Sequence, residues 1–364
     1  MRITDIDVRL SKMPIPNGPW SDSIHVVTHF EIVVVSVTAD NGQTGHGYTY
    51  AAHGGGTSIA SLLRDYVVPE LVGKEVNPRR LWHEMWDLVQ DLGAGGFTTV
   101  SIAAFDIAFW DLVGKTLGAP LHSLFGAVHD RLPVYGSGIN LRMDLAQLLD
   151  QVDGWVGKGY GGVKIKVGRP EIDEDIERVA KVRERVGSRA IMVDANQGWD
   201  QSRAVAVSKA LAPFDIAWIE EPLARDDVYG HAKLRRRIDT PVALGENVYT
   251  LRDITSFLRQ DAVDVVQCDV VRTGGPTAYL SIAALAQAFN VPLAPHHAME
   301  ISGQVVASSP KALWVEDVDG GSLLDLGVVT HFDQIKDGYF VLDDAPGHGL
   351  EFDFANLDAH ALKF

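Results

Sequence analysis

Three acidic residues, Asp194, Glu220 and Glu246, follow one another at intervals of 26 residues, each at the end of an apolar run. If these runs are adjacent strands, the three carboxylates meet at one edge and repel one another unless a cation lies between them. Oxygen ligands that leave positions open for water and substrate suit Mg²⁺ far better than zinc. For any one residue alone, a helix cap or a surface carboxylate remains an alternative. The repeat, with no competing Cys/His cluster in the sequence, favours a magnesium site.

Two lysines, Lys164 and Lys166, stand one residue apart in the apolar segment "GGVKIKVG". Alternate side chains of a strand share a face, so both ammonium groups point the same way. Each makes protonation of the other harder, and a nearby cation acts in the same direction. We therefore predict a lowered lysine pKa and a base that works near neutral pH. The alternative is a pair of lysines fraying into solvent at a strand end.

A histidine and an aspartate form a second candidate pair. Asp269 ends one apolar run and His296 ends the next, so the carboxylate can hold one ring nitrogen and leave the other free to move a proton. His297 is the rival within "PHH", and strand alternation allows only one of the two rings to face inward. A structural histidine bonded to a backbone carbonyl is the alternative. Glu316, after the last run, is a candidate to hold a proton and to hydrogen-bond a developing anionic oxygen.

These residues end successive short β-rich runs that alternate with helical segments after about residue 130. The run-ending residues are separated by 28, 26, 26, 23, 27 and 20 residues, in the order Lys166, Asp194, Glu220, Glu246, Asp269, His296 and Glu316. Such spacing suits one strand and one helix at a time, which predicts a parallel sheet. A closed barrel brings the carboxyl ends of its strands to one mouth, where enzymes of this architecture keep their chemistry.

The first 125 residues have a different, α+β pattern. Asn41-Gly42 lies between two apolar runs and predicts a hairpin, and helical spacing follows until Gly118. Helical spacing of Ile172, Ile176, Val179 and Val186 also predicts a helix within residues 170–187, with Gly187 as its end.

Composition limits the setting. The net charge of −16 argues against a general nucleic-acid binder, because no basic field is available to displace counterions from phosphates. A single cysteine, Cys268, excludes an internal disulfide and is compatible with a reducing cytoplasm. The sequence also lacks an apolar signal core and any run of eighteen uninterrupted apolar residues. We expect a cytoplasmic enzyme that binds neither membranes nor nucleic acids.

The motifs together resemble the mandelate racemase subgroup of the enolase superfamily. They are Lys164-x-Lys166, "MVDAN", "WIEEP", "GEN", Asp269, "PHHAMEIS" and Glu316, and the resemblance covers essentially the whole chain. It implies a modified TIM barrel, (β/α)7β, over residues 126–324. An α+β capping domain is implied over residues 1–125, completed by residues 325–364.

The resemblance also implies a role for each motif residue. Asp194, Glu220 and Glu246 match the Mg²⁺ ligands, Lys166 the base on one face, and Lys164 its neighbour. Asp269 and His296 match the dyad on the opposite face, with His296 favoured over His297, and Glu316 matches the acid that hydrogen-bonds the substrate carboxylate. This superfamily uses a lysine or histidine base with Mg²⁺ stabilising an enediolate.

The expected function is Mg²⁺-dependent dehydration of a sugar acid to a 2-keto-3-deoxy acid. The alternative within the fold is a racemase or epimerase of an α-hydroxy acid through the same intermediate. An aldolase-type lyase on a plain barrel would also use carboxylates, but it would not need bases on both faces. Several motifs are especially similar to the galactarate/talarate dehydratase branch. Its relatives are often octamers, so we expect an even-numbered homo-oligomer.

Substrate contacts are expected from two Gly- and Pro-rich stretches of the cap, together with Asn196, which would share a strand face with Asp194. The cap candidates are Asn17, Trp20, His25, Tyr48, His53 and Thr57. The alternative for each is a surface-loop residue that does not contact substrate. The loop "TYAAHGGG" lacks the basic residues that the branch uses for a distal carboxylate, so a monocarboxylic sugar acid is at least as well supported as a diacid.

Overall fold

The computed structural model describes residues 1–16, 18–52 and 54–364. Its N-terminal strands are β1 (Ile3–Pro14), β2 (Trp20–Ser21), β3 (Val26–Val27), β4 (His29–Ala39) and β5 (Thr44–Ala52). β4 lies between β1 and β5 in an antiparallel sheet, and β2 pairs with β3 in a separate ribbon. The predicted hairpin at Asn41-Gly42 is confirmed, since β4 pairs with β5 across it and Gly42 has a φ of 80°.

Helices cover one side of this sheet. They are α1 (Gly56–Leu62), α2 (Val68–Leu71), α3 (Pro78–Val89), α4 (Phe97–Leu117) and α5 (Leu121–Leu124), with a π-helical turn at Leu63–Val67 and a 3₁₀ turn at Gln90–Leu92. α4 ends at Gly118 in the left-handed conformation, as predicted. By length and composition α4 could cross a membrane, but 78% of its apolar window is buried inside the protein. It is therefore the core helix of the capping domain.

The barrel follows. Its elements are β6 (Arg131–Ser137), α6 (Leu145–Gly157), β7 (Gly162–Lys166), α7 (Ile172–Val186), β8 (Ala190–Asp194), α8 (Gln201–Leu211), a 3₁₀ turn (Ala212–Phe214), β9 (Ile216–Glu220), α9 (Val228–Arg235), β10 (Val242–Leu244), α10 (Leu251–Arg259), β11 (Val265–Val266), α11 (Pro276–Ala288), α12 (Met299–Val306) and β12 (Val315–Val318). α7 lies within the predicted segment, and Gly187 caps its end as predicted.

Parallel pairing runs in chain order from β6 to β11, and β12 returns to pair with β6. The gap between β11 and β12 is bridged by Leu293, which pairs with Val266 on one side and Ala312 on the other. The ring of strands therefore closes, and the predicted (β/α)7β barrel with its N-terminal cap is confirmed.

The C-terminal tail contains β13 (Ile335–Lys336), β14 (Tyr339–Val341) and α13 (Phe354–Ala359). α13 and the residues after it lie on β1, where the Ser11 hydroxyl donates to the Leu357 carbonyl at 2.8 Å. β14, however, pairs antiparallel with the barrel strand β6. β13 and β14 therefore lie against the start of β6, before the stretch that pairs with β12 and β7. The assignment of 325–364 to the cap stays a prediction.

Candidate functional site

Strand alternation arranges the barrel interior in two layers. Met192 and Trp218 belong to a small apolar cluster inside the barrel, and two residues further along the same strands stand Asp194 and Glu220. Parallel register aligns Lys166 with Asp194 and Asp194 with Glu220. The charged groups therefore form a layer at the carboxyl ends of the strands, above an apolar floor.

Asp194, Glu220 and Glu246 converge as the spacing predicts. Each offers a carboxylate oxygen, the three oxygens lie within 4.8 Å of one another, and all three residues are buried. Burial and the negative charge of Asp194 raise the pKa of Glu220 to about 7, although Lys164 opposes the shift. Burial also raises the pKa of Glu246, but His296 and Arg272 outweigh it and lower that pKa to about 2. Three convergent buried oxygens with mutually unfavourable charges suit a hard divalent cation such as Mg²⁺.

The two lysines share a face and point into this layer. The Lys164 ammonium group lies 2.7 Å from oxygens of both Glu220 and Glu316, and Lys166 is bonded to Asp194. Burial lowers the pKa of Lys164, but these carboxylates outweigh it and raise the pKa well above its ordinary value. Burial and Lys164 lower the pKa of Lys166, but Asp194 outweighs them and this pKa is also raised. Both shifts come from carboxylates that the sequence pattern did not place against the lysines. A cation bound by Asp194 and Glu220 would offset their charge, so the lowered pKa predicted beside a cation stays a prediction.

The dyad is also formed. His296 Nδ1 lies 2.8 Å from Asp269 Oδ2, and its Nε2 lies 3.2 Å from Glu246 Oε2. Burial lowers the pKa of His296, but the Glu246 and Asp269 carboxylates outweigh it and the pKa is raised. The pKa of Asp269 is lowered despite its burial, because His296 donates to it. Asp269 is thus an ionised acceptor, and Nδ1 of His296 is the nitrogen that carries a proton towards it.

Both histidines line the cavity above this layer, which strand alternation did not predict. His297 adopts a φ of 46°, so the chain leaves the extended conformation directly after His296. Its ring stacks on Phe30 at 6.1 Å. Burial and the neighbouring His296 lower the pKa of His297 to about 4. The assumption of a regular strand through "PHH" is therefore wrong, although His296 is the ring that meets Asp269.

Glu316 closes the charged layer on the side of Lys164. Its second oxygen accepts the backbone N–H of His297 at 2.9 Å. Burial raises the pKa of Glu316, but Lys164 and His296 outweigh it and lower the pKa. The carboxyl group is therefore ionised, against the prediction that it holds a proton.

Asn196 and Glu221 follow strand ends rather than continuing the strands. Asn196 has a φ of 43°, so it does not share a strand face with Asp194, yet it lines the cavity and donates its backbone N–H to Asp194 at 2.8 Å. Its side-chain oxygen is buried without a hydrogen-bond partner among the described residues. Glu221 accepts two hydrogen bonds from Asn247, at 2.9 and 3.1 Å, and so acts as a structural acceptor.

A cavity of about 380 Å³ lies between this layer and the cap. Trp20 and His25 line it, as predicted. Tyr48 is not part of the described lining; it is fully buried, so its predicted contact with substrate is wrong. The reason is that the cavity borders only the last residues of β5, Tyr50 to Ala52. His53 and Asn17 lie outside the described residues, and Thr57 is absent from the described lining.

Sequence reasoning missed several cavity residues. They are Tyr50, Arg225, Asn247 and Arg272, with Gln267 buried beneath them and donating to Glu220 at 2.9 Å. Gln267 shares the alternation of its strand with Asp269, which is a usable signal. Arg225 and Arg272 stand in loops three to five residues beyond predicted site residues, where no periodic pattern fixes the direction of a side chain.

Comparisons with known proteins agree with this geometry. Residues 5–126 match the family "Mandelate racemase / muconate lactonizing enzyme, N-terminal domain", and residues 147–356 match "Enolase C-terminal domain-like". The 3,6-anhydro-alpha-L-galactonate cycloisomerase of Streptomyces coelicolor is 36% identical over 97% of this chain and 98% of its own. The L-talarate/galactarate dehydratase of Salmonella typhimurium is 34% identical over 90% of this chain and 81% of its own.

Among solved structures, a racemase from Streptomyces coelicolor A3(2) with bound magnesium superimposes with a TM-score of 0.95. It is 35% identical, with 99% of this chain and 100% of that chain covered. The relatives therefore share one fold while they carry the names of a cycloisomerase, a dehydratase and a racemase.

Proposed function

The chain belongs to the mandelate racemase / muconate lactonizing enzyme family of the Mg²⁺-dependent enolase superfamily, and from this premise we propose that it is an acid-sugar dehydratase. It removes the proton α to the carboxylate of a sugar acid and eliminates the β-hydroxyl group to give a 2-keto-3-deoxy acid. One observation carries the proposal. Lys166 and His296 line the same cavity and are bonded to different members of the acidic triad, Asp194 and Glu246 respectively.

Asp194, Glu220 and Glu246 would hold the metal. A bound Mg²⁺ offsets the negative charge that develops on the substrate carboxylate when the α-proton leaves. Lys164 adds a fixed positive charge to the same layer, and Glu316 holds that ammonium group in place. Stabilisation of the developing charge is thus built into a buried site that needs little reorganisation.

Proton movements fall to Lys166 and His296. The base on the side of the α-proton removes it, and the electron pair of the C–H bond delocalises onto the carboxylate as an enediolate. The same pair then forms the C2–C3 double bond as the C3–O bond breaks. A proton from a conjugate acid in the site goes to the departing hydroxyl, so water leaves and the enol rearranges to the keto acid. The configuration at C2 decides which base begins.

A second candidate is a cycloisomerase, which the 36% identity to the anhydrogalactonate enzyme over 97% of the chain favours. In a 3,6-anhydro acid the oxygen at C3 belongs to an ether ring. Removal of the C2 proton then breaks the same C3–O bond, but the leaving oxygen stays attached and the product is an isomer. The same proton-transfer groups serve both reactions, so the substrate decides between them.

Incubation of the Mg²⁺-loaded protein with a library of aldonic, aldaric and 3,6-anhydroaldonic acids in D₂O tests the proposal. A keto acid formed with loss of water supports the dehydratase, and a keto acid isomeric with its substrate supports the cycloisomerase. Deuterium at C2 without loss of the acid identifies a racemase or epimerase instead.

Lys166→Ala is expected to abolish α-proton exchange from one C2 epimer only. Lys181→Ala, in α7 where the lysine side chain is 44% exposed, is the matched control and should retain exchange from both. No product and no exchange with any acid of the library would contradict the proposed chemistry.

A further inference from the structure

We propose that Tyr50, a residue of the capping domain, is a positioning residue that orients the His296–Asp269 dyad of the barrel. The inference rests on the proposed function, because it assigns His296 as the base on one face. The cap, which lines the cavity, thereby also supplies a hydrogen bond to the His296–Asp269 dyad.

The contact is direct. The Tyr50 hydroxyl donates to Asp269 Oδ2 at 2.5 Å, and His296 Nδ1 lies 2.8 Å from the same oxygen. The other oxygen, Oδ1, accepts the backbone N–H groups of Val271 and Arg272 at 2.7 and 3.1 Å. Asp269 therefore receives four donors and cannot rotate without losing several of them. Since Tyr50 and His296 share one oxygen, the hydroxyl fixes the point towards which the imidazole is directed.

Tyr50 is itself held in a fixed position. Its ring packs edge-on against Phe30 at 5.7 Å and against His297 at 5.2 Å. Burial raises the pKa of the Tyr50 hydroxyl well above its ordinary value, so the group keeps its proton and remains a donor. A protonated, enclosed hydroxyl is suited to orient a neighbouring carboxylate rather than to exchange protons with substrate.

The cap also fixes the loop that follows Asp269. Trp82 Nε1 of α3 donates to the Gly274 carbonyl at 2.8 Å, and Asp106 of α4 accepts from both the backbone N–H and the hydroxyl of Thr277 at 2.7 Å. A Cβ atom at Gly275 would stand 2.5 Å from the Asp106 carboxylate, which shows how closely the two domains approach there. Docking of the cap thus positions Asp269 through its side chain and through its own loop.

The test compares Tyr50→Phe with Tyr279→Phe in the Mg²⁺-loaded, full-length protein. Tyr279 is the control because its buried hydroxyl makes no hydrogen bond within the described part of the chain. The first measurement is NMR of ¹⁵N-histidine-labelled protein, with the His296 ring signals assigned through His296→Gln. We expect Tyr50→Phe to shift the His296 Nδ1–H signal downfield, because Asp269 Oδ2 then concentrates its charge on one donor, and we expect Tyr279→Phe to leave it in place.

The second measurement is α-proton exchange in D₂O with galactonate and talonate, which differ only in configuration at C2. Tyr50→Phe should slow exchange of the epimer that depends on His296 by about tenfold, the scale of one hydrogen bond to a charged group, and should leave the Lys166-dependent epimer unchanged. His296→Asn and Lys166→Ala identify which epimer depends on which base.

Unchanged His296 signals in Tyr50→Phe overturn the inference, and so does equal slowing of both epimers, which would indicate a merely structural role. If the wild type exchanges neither epimer, the proposed function fails for these acids. The NMR comparison does not require turnover and still decides whether Tyr50 orients the dyad.

Discussion

Arg225, a residue of the barrel, brings a positive charge to the cavity. It lies in the loop after β9, lines the cavity, and forms no ion pair with a carboxylate of the described residues. Its guanidinium group donates to the hydroxyl of Tyr249 at 3.4 Å, and its backbone N–H donates to the side-chain oxygen of Gln197 at 3.0 Å. The cap loop has no basic residue that could bind a second substrate carboxylate. Arg225 could bind it from the barrel side, so diacids should be tested together with monocarboxylic sugar acids.

We predict that Arg225→Gln lowers kcat/KM for galactarate by about tenfold or more and leaves that for galactonate nearly unchanged. A guanidinium group binds a carboxylate through a charge-assisted hydrogen bond, and a neutral hydroxyl at the same position gains less from it. Steady-state kinetics with the two acids measures the ratio. Arg236→Gln, an exposed position at the end of α9, should not change it, and equal losses for both acids would exclude recognition of the second carboxylate.

At the scale of elements, β5 and α4 approach so closely that only glycine fits between them. A Cβ atom at Gly47 would lie 2.1 Å from the Ala104 carbonyl oxygen, and one at Gly45 would lie 2.2 Å from that of Ala108. This contact holds the strand that contains Tyr50, so the packing of a cap helix sets the position of a residue at the dyad.

We predict that Gly47→Ala lowers the free energy of unfolding by about 1–3 kcal/mol or more, because the extra methyl group forces the helix away from the strand. Gly154→Ala is the matched control: it is an exposed position in α6 with open space around the added methyl group. That variant should be neutral or up to about 1 kcal/mol more stable. Urea unfolding compares the two, and equal stabilities would contradict the close contact.

A polar cluster of His46 in β5, Asp111 in α4 and His348 in the tail joins these three parts of the chain. Burial, with Lys115, lowers the pKa of His46 to about 4 from its ordinary value of 6.5. The charged and titratable groups that face this ring are Lys115, Asp111, His348 and Arg9. Below pH 6.5 the unfolded chain takes up a proton at His46 that the folded chain does not take up until about pH 4. Stability contributed here is therefore present above pH 6.5 and is lost as the pH falls towards 4.

We predict that His46→Gln makes the decline of stability between pH 6.5 and 4 shallower. The expected difference in the free energy of unfolding is on the order of 1 kcal/mol, because the ring is partly exposed and solvent screens part of the electrostatic effect. Chemical unfolding at several pH values measures the slope. His331→Gln, at a site whose side chain is 63% exposed, is the control. An unchanged slope in His46→Gln would show that other groups govern acid sensitivity.

At the scale of the whole molecule, the barrel brings together residues from Lys164 to Glu316, and the cap closes the layer from above. The triad places three carboxylates in a buried site. The two lysine ammonium groups, on Lys164 and Lys166, offset only part of that negative charge. A cation that binds there binds the folded chain alone, because the unfolded chain separates its ligands.

We predict that Mg²⁺ raises the thermal midpoint in a concentration-dependent way, by the equivalent of about 2.7 kcal/mol at roughly a hundred times its Kd. Glu246→Gln should weaken this response, since it removes one charge from the triad. Sodium chloride at equal ionic strength is the control for screening. A magnesium response equal to that of sodium chloride, or one retained in full by Glu246→Gln, would contradict binding at this site.

The sequence by itself determined the chemical groups and their order around the barrel. Asp194, Glu220 and Glu246 could be assigned to one mouth because strand alternation and the spacing of strand–helix units are local and regular, and both follow from the backbone. The end of α7 at Gly187 and the hairpin at Asn41-Gly42 followed from similarly local signals.

Only the tertiary structure decided the environment of each group. Asp194 lies against Lys166 and raises its pKa, and His297 faces the cavity where its φ is positive. Tyr50, rather than Tyr48, lines the cavity and bonds to Asp269. Electrostatic shifts and loop directions depend on distances between segments far apart in the chain. Periodicity within a segment carries no information about those distances.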